Sequence, residues 1–338
     1  MKISKFSIRG FSPKDLARVL EIGRASFIKD FEIAGFDEEG VKKKLRLYGL
    51  IKLVERLTHK TFFRMYVGEV GNLVVGTMSL MRLGESWYIG MGMVDPMYRK
   101  RGYARRLMSR VCSDAMSLGA RKVIVYVIED NVPVKNLCRS MGFVTFERIA
   151  YFHRETCKLD GRDLPSGYKL IKIDSFSREA SEVVDACRDE TSRLVHGKSS
   201  PTPFYIRLAS RFLRAGEAEK YAVTIDNKIV GVYTHNFKSK NDPFYMAIHL
   251  YEEHKGKGIE ETVITNSLGK AFDLGIPELI VSFNEKNTGL EEICEELSFA
   301  KYFVAEGMSK ILVQTRPSEP CVLSSRLSYD RIGVCDAS

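Results

Sequence analysis

The sequence has few of the residues that build disulfide-rich or metal-binding frameworks. Its seven cysteines include no C-x-x-C pair, and they do not cluster with any of the six histidines. We therefore expect free thiols, with neither a structural zinc site nor a disulfide scaffold, and no metal cofactor.

Long apolar runs are also missing. No stretch reaches the roughly 18 uncharged apolar residues that a membrane-spanning helix needs. The N-terminus, Met1-Lys2-Ile3-Ser4-Lys5-Phe6, has no long apolar segment after its charges and is typical of a first strand rather than a signal peptide. We therefore expect no membrane partner and a cytoplasmic location.

The chain carries an excess of positive charge, with a formal net charge of +9 over 338 residues. Such a charge suits an acidic partner, whether a nucleotide cofactor, an acidic peptide or nucleic acid. The densest basic cluster, Lys42-Lys43-Lys44-Leu45-Arg46, has helical spacing and is interpreted as a solvated helix face. Nucleic-acid binding through this cluster is the weakest hypothesis for the function of the chain. It predicts an affinity for nucleic acid that falls steeply with salt.

The chain is an internal duplication. Five residues of the first half recur as the same residue type 156 positions later: Gly102 and Gly258, Gly119 and Gly275, Asn131 and Asn287, Cys138 and Cys294, Phe143 and Phe299. Upstream the shift is 155, as for Asn72 with Asn227 and Gly76 with Gly231. A repeat of this length predicts two similar domains rather than a solenoid.

The domain boundary is predicted in the polar segment from Asp160 to Gly167, which contains glycine and proline. We assign residues 1–159 to the first domain, 166–313 to the second, and 314–338 to an irregular C-terminal tail. A duplicated chain fits a monomer, although the sequence leaves the oligomeric state open.

A phosphate-binding turn is the most informative local feature. Ser86 to Val94 is a predicted strand, Asp95-Pro96 breaks it, and a helix is expected from Gly102 to about Ser117. Between them lies Arg99-Lys100-Arg101-Gly102-Tyr103-Ala104. A glycine permits a tight turn, and the unpaired N–H groups of a first helical turn attract phosphate. We therefore predict a pyrophosphate site here.

The pattern Arg99-x-x-Gly102-x-Ala104, preceded by Val94-x-Pro96, resembles the acyl-CoA motif of the GCN5-related N-acetyltransferases (GNAT superfamily). The resemblance implies an α/β fold of two tandem GNAT-like domains, each a mixed, mostly antiparallel twisted sheet flanked by helices. It also implies transfer of an acetyl or other short acyl group from acyl-CoA to a primary amine by direct attack in a ternary complex. The acceptor is then a small molecule, a protein N-terminus or a lysine.

The same resemblance assigns the residues that hold acetyl-CoA. The backbone of Met93 and Val94 is expected to hold the pantetheine arm and the thioester carbonyl. The pyrophosphate is expected on backbone N–H groups and cations of the turn: Arg99, Lys100, Arg101, Gly102, Tyr103, Ala104 and Arg105. Asn131 begins a segment that is similar to the family's Asn-x-x-Ala-x-x-Leu-Tyr-x-x-x-Gly-Phe, and its side chain is expected to contact the cofactor arm.

Proton transfer is where the sequence departs from the family. Tyr88 stands where many relatives have a glutamate. Cys138 stands where they commonly have a tyrosine that acts as the general acid. Three alternatives remain. Glu85, Glu129 or Tyr88 takes the amine proton through a water molecule, or positioning of the substrates alone supplies the rate. In the third alternative the chain is an acyl-CoA sensor or scaffold that transfers no acyl group. Tyr88, Glu85 and Cys138 are the catalytic candidates, although a cysteine in such a helix is more often a small buried residue. A late strand histidine, His153, is a weaker candidate near the acceptor.

The second copy has a modified turn, Lys255-Gly256-Lys257-Gly258-Ile259-Glu260. Glu260 replaces Ala104 and brings bulk and negative charge to the place where a pyrophosphate is expected. Leu250-Tyr251-Glu252 has also lost the proline of the first copy. We therefore predict a degenerate second site, the alternative being a phosphate loop at Gly256-x-Gly258 with Glu260 pointing away.

Overall fold

The computed structural model describes residues 5–26, 42, 45, 48–83, 86–197, 217–237 and 243–312. The helices are α1 (Leu16–Ser26), α2 (Tyr48–Thr58), α3 (Tyr103–Ser117), α4 (Val132–Ser140), α5 (Arg178–Ala186), α6 (Glu190–His196), α7 (Ile259–Asp273) and α8 (Thr288–Glu296). The first-half strands are β1 (Phe6–Gly10), β2 (Phe63–Val70), β3 (Leu73–Leu83), β4 (Ser86–Val94), β5 (Lys122–Ile128) and β6 (Val144–Glu155). The second-half strands are β7 (Tyr168–Ile173), β8 (Glu217–Ile225), β9 (Lys228–Phe237), β10 (Phe244–Leu250), β11 (Glu278–Asn284) and β12 (Ala300–Ile311).

Three predicted features lie outside the described residues. These are Glu85, the tail 314–338, and Lys43, Lys44 and Arg46 of the basic cluster. Of that cluster, Leu45 is described and is buried at 2% exposure against the helix α1.

All twelve strands form one mixed sheet in the order β1-β2-β3-β4-β5-β12-β6-β11-β10-β9-β8-β7. Most neighbours are antiparallel, while β4 with β5 and β10 with β11 are parallel. Helices flank the sheet in both halves, which confirms the predicted α/β class with mixed, mostly antiparallel strands in each half. The two predicted sheets are, however, joined into one. The predicted domain boundary stays a prediction, although residues 156–167 contain no helix or strand and β7 begins at Tyr168.

The two halves exchange their last strands. The first half ends in one long strand, β6, from Val144 to Glu155. β6 pairs with β11 of the second half, β12 pairs with β5 of the first half, and β6 and β12 pair with each other. β5 and β11, the fifth strands of the two halves, therefore each pair with the last strand of the other half. This removes two unpaired strand edges from the middle of the sheet.

Two layers of apolar side chains fix the first half. Leu107 and Val111 of α3 pack on Val123 of β5, and all three are fully buried. On the opposite face, Val19 and Ile22 belong to the cluster that holds α1 against the sheet. Alternating strand residues serve both faces, so the ends of β4 and β5 lie between two helical layers. Among the described helices, none is long and apolar enough to cross a membrane.

Candidate active site

A cleft opens between the parallel strands β4 and β5. Within the described residues these strands pair at Trp87 with Val123 and at Tyr88 with Ile124, and no further pairs follow along β4. Met91 has φ of 48° and the β3–β4 register shifts between Thr77 and Ser79, which marks a bulge on β4. Because a bulge bends its strand, the backbone from Ile89 to Val94 leaves β5, and an extended chain can enter there.

The turn after β4 has the geometry of an anion-binding nest. Lys100 and Gly102 both lie in the left-handed region, with φ of 61° and 77°. The first N–H bond of α3 runs from Arg106 to the Gly102 carbonyl, so the amides of residues 103–105 have no partner inside the helix. Successive amides that point into such a turn, together with the helix dipole, favour a phosphate.

The cradle at this turn is open. A Cβ built on Gly102 meets no atom of the described residues within 4 Å, although its positive φ strains any other residue. Arg101 lies over the Tyr98 ring and donates to the Met97 carbonyl, and Arg105 donates to the Ser140 hydroxyl at 2.5 Å. These cations are exposed and surround the turn.

Three further predicted cofactor residues also have structural partners. Arg99 donates from Nε to the Val94 carbonyl at 3.1 Å, so it folds back over the end of the cleft. The Asn131 side chain caps α4, where its Oδ1 accepts from the Val134 amide at 3.3 Å. Tyr103 stacks on Phe6 with ring centroids 4.2 Å apart, which leaves its backbone N–H as its contribution to the turn.

The remaining catalytic candidates do not gather at the cleft. Cys138 is fully buried in the core beneath α4, where burial raises the pKa of its thiol to about 11, so we give it no role in proton transfer. Glu129 forms a two-pronged ion pair with Arg148, at 3.0 and 3.1 Å. His153 pairs with Glu278 at 2.5 Å on the strand that joins the second half.

Tyr88, by contrast, belongs to a cluster of polar side chains at the closed end of the cleft. Its hydroxyl lies 2.9 Å from Nδ1 of His196, which ends α6 of the second half. Nε2 of His196 lies 2.9 Å from Oε1 of Glu147 on β6. Tyr126 of β5 stacks parallel to Tyr88 and donates its hydroxyl to Glu147.

Glu147 is an ionised carboxylate in this cluster. Burial raises the pKa of this group, but hydrogen bonds from His196, Ser192 and Tyr126 outweigh it and hold the pKa below its ordinary value. Burial also raises the pKa of Tyr88 and of Tyr126, and the nearby Glu147 charge adds to both rises. Both tyrosines are therefore neutral hydroxyl groups at physiological pH.

The backbone makes room for this cluster. A Cβ on Gly307 of β12 would meet Glu147 Cγ at 2.9 Å and Tyr126 Cε1 at 3.0 Å, so only glycine fits there. The Ser86 hydroxyl donates to the His196 carbonyl at 2.9 Å and fixes the end of α6 on β4. Sequence reasoning missed His196 and Glu147, because nothing in their local patterns shows that the second half reaches this cleft.

The second-half turn repeats the backbone of the first. Gly256 and Gly258, which correspond to Lys100 and Gly102, have φ of 66° and 82°. Glu260 is 6% exposed at this turn, and its Oε2 has no hydrogen-bond partner among the described residues. Burial raises the pKa of its carboxyl, while the backbone amides of Gly256 and Glu260 itself oppose that rise. The carboxylate thus interacts with amides that a phosphate would need.

The second-half cleft is also shorter. β10 and β11 pair over four positions, from Phe244 with Leu279 to Ala247 with Ser282. The β9–β10 register shows no shift, so β10 lacks the bulge of β4. Cleft and turn therefore both differ from the first half.

Comparison with known proteins agrees with this geometry. Residues 19–143 match the model of the acetyltransferase (GNAT) family. A tandem GNAT protein from the clavulanic acid biosynthesis pathway is 14% identical over 92% of this chain and 100% of its own, with a TM-score of 0.65. A GCN5-related N-acetyltransferase from Sphaerobacter thermophilus is 15% identical over 90% of this chain and 95% of its own, with a TM-score of 0.63. No curated protein sequence matches significantly. The first half therefore contains a GNAT acetyltransferase domain, and the whole chain has the fold of tandem GNAT proteins, which confirms the resemblance.

Proposed function

We propose that this chain, whose first half contains a GNAT domain, is an acyl-CoA-dependent N-acyltransferase that moves an acetyl group from acetyl-CoA to a primary amine. The observation that carries this proposal is the early end of β4–β5 pairing at Tyr88, together with the left-handed turn at Gly102 that follows β4 in the chain. A cleft lined by unpaired strand backbone suits an extended pantetheine, and the nest that follows suits its pyrophosphate.

The chain's own groups have distinct parts in binding. The backbone of Met93 and Val94 would hold the pantetheine arm, and Arg99 must then give up its bond to the Val94 carbonyl. The turn amides and the cations of Arg99, Lys100, Arg101 and Arg105 would hold the phosphates through charge-assisted hydrogen bonds. Asn131 retains its cap and offers its amide NH₂ to the cofactor arm.

The reaction would proceed by direct attack of the amine on the thioester carbon. Tyr88 lies at the last paired position before the strands diverge. Its hydroxyl would then meet the amine beside the thioester. The net charge of +9 suits an acidic acceptor, either a small molecule or a protein carrying a free N-terminus or lysine.

Calorimetric titration with acetyl-CoA and an assay of free CoA thiol over an amine panel test this function. The panel contains polyamines, free amino acids and short peptides with unblocked N-termini. We expect one acetyl-CoA per chain and amine-dependent release of CoA. If acetyl-CoA binds but no amine in the panel causes release of CoA, the chain is instead an acyl-CoA sensor or scaffold.

A further inference from the structure

The first-half cleft meets the second half at Tyr88, His196 and Glu147, three side chains from β4, α6 and β6. Their polar atoms form a continuous chain, with 2.9 Å from Tyr88 Oη to His196 Nδ1 and 2.9 Å from His196 Nε2 to Glu147 Oε1. We infer that Tyr88 takes the proton of the acceptor amine and passes its own to His196, which Glu147 orients. This inference rests on the proposed acyltransferase function.

The hydrogen positions follow from the carboxylate. An ionised Glu147 can only accept hydrogen bonds, so Nε2 of His196 carries the ring hydrogen and donates to it. Nδ1 then has its lone pair free to accept from the Tyr88 hydroxyl. This is the order of a hydroxyl, an imidazole and a carboxylate that serves proton transfer in hydrolases, with a tyrosine in place of the nucleophile.

The proton balance is complete. An ammonium acceptor gives one proton to Tyr88 Oη, and the Tyr88 proton moves to Nδ1 of His196, leaving a neutral amine and an imidazolium beside Glu147. The amine lone pair forms the C–N bond, and collapse of the adduct breaks the C–S bond. The second amine proton ends on the CoA thiolate, and the imidazolium proton leaves to solvent. Tyr88 stays neutral throughout, which agrees with its raised pKa.

The charged and titratable surroundings favour this direction. Tyr88 faces Tyr126 from β5, Glu147 from β6 and the positive charge of Arg188 from the turn before α6. His196 is 8% exposed in its side chain and packs edge-on against Phe146. An imidazolium formed there lies against the Glu147 carboxylate, which stabilises its charge in a mostly buried site.

The cluster is held rigidly, as a relay requires. Ser192 donates to the second oxygen of Glu147, and the Asp189 side chain caps α6 by accepting from the Ser192 amide at 2.8 Å. Gly307 leaves the space in which Glu147 and Tyr126 meet. Two separate elements, α6 and β12, thus position the side chains of Glu147 and Tyr126.

Three variants test the relay in the full chain: Tyr88→Phe, His196→Gln and Glu147→Gln. For the amine that releases CoA fastest, we expect kcat to fall about 100-fold near neutral pH, with the acetyl-CoA affinity unchanged. The loss should shrink to below about tenfold at a pH near the pKa of the amine, because the acceptor then deprotonates unaided. The matched control is Tyr168→Phe, which removes a tyrosine hydroxyl placed 2.8 Å from Nδ1 of His254 in the second half and should leave kinetics unchanged.

A readout that is independent of turnover accompanies the kinetics. Nitrogen NMR of the histidine-labelled wild-type protein should show His196, assigned by its loss in His196→Gln, with a protonated Nε2 and an unprotonated Nδ1. A protonated Nδ1 in the neutral ring overturns the relay, as do wild-type kcat values and pH profiles in Tyr88→Phe and His196→Gln. If the variants leave an active enzyme unaffected, the relay alone is wrong. If no amine in the panel makes the wild type release CoA, the proposed function and the relay are both wrong.

Discussion

The two phosphate turns of this molecule share a backbone and differ in what fills them. Both turns place two left-handed positions, separated by one residue, before a helix: Lys100 and Gly102 in the first half, and Gly256 and Gly258 in the second. The first turn is open above Gly102, whereas the second is filled by the buried side chain of Glu260. The comparison shows that the backbone of a binding turn survives duplication even when a single side chain occupies its ligand position.

The cleft beside the first turn is also more open than the cleft beside the second. β4 is bulged and leaves β5 after Tyr88, while β10 runs regularly and stays paired with β11 for four residues. In return the second half gives the first half a strand, β12, and the helix end that carries His196. The halves are therefore related by sequence but have unequal parts in the molecule.

The largest expected effect comes from closing the open turn. Gly102→Glu brings a carboxylate to the first cradle, two residues before Ala104, the position that corresponds to Glu260, and we expect acetyl-CoA affinity to fall at least about 100-fold by like-charge repulsion. Calorimetric titration measures it.

Gly258→Glu is the matched control, because it imposes the same strain at positive φ in the turn already occupied. It should leave acetyl-CoA affinity unchanged. Equal losses in the two variants would show that a general effect on the folded chain, and not occupation of the first cradle, causes the loss of affinity.

The second prediction concerns the stability cost of Glu260. Its carboxyl has a raised pKa in the folded chain, so the folded state binds the proton more tightly than the unfolded state. Stability is therefore lost as pH rises from the unfolded pKa through the folded one. Glu260→Gln should raise the free energy of unfolding by about 1–3 kcal/mol at neutral pH and by less at acidic pH, the usual range for a buried unsatisfied group.

Denaturant unfolding at both pH values measures this difference. Glu253→Gln removes the same charge from an exposed position of the same turn and should change little at either pH. If Glu260→Gln raises the free energy of unfolding equally at both pH values, the buried carboxylate of Glu260 is not what destabilises the folded chain.

The third prediction separates capping from ligand contact at two equivalent asparagines. Asn131 caps α4 and Asn287 caps α8, each by accepting from the amide three residues later. Replacement by alanine should cost each variant about 1 kcal/mol of unfolding free energy. Acetyl-CoA affinity should fall in Asn131→Ala alone. Equal affinity in both variants would limit Asn131 to its structural role.

The smallest expected effect is at the buried thiols. Cys138 and Cys294 are equivalent and both fully buried, and burial raises the pKa of each thiol, to about 11 and about 12. Cys138→Ala should keep kcat within about twofold of wild type, because a buried neutral thiol reaches no substrate. Cys294→Ala provides the comparison for stability. A loss of turnover specific to Cys138→Ala would return this residue to the proton path.

Local sequence was sufficient for the elements and for the turn. Asp95-Pro96 ends β4 as expected, because Asp95 accepts from the Met97 amide and proline begins the next turn. Gly102, where a tight turn was predicted, adopts a left-handed conformation at the start of α3. The bulge at Met91 was not predictable, since its positive φ belongs to a residue with no preference for it and depends on the register with β3.

The sequence by itself determined the duplication, the α/β class and the contrast between Ala104 and Glu260, because each depends on residues that act within one turn or recur at one spacing. Only the tertiary structure decided that the last strands are exchanged and that His196 and Glu147 meet Tyr88. These contacts join residues 49 to 108 positions apart. Such distant partners are selected by sheet pairing and helix packing, for which local propensity carries no signal.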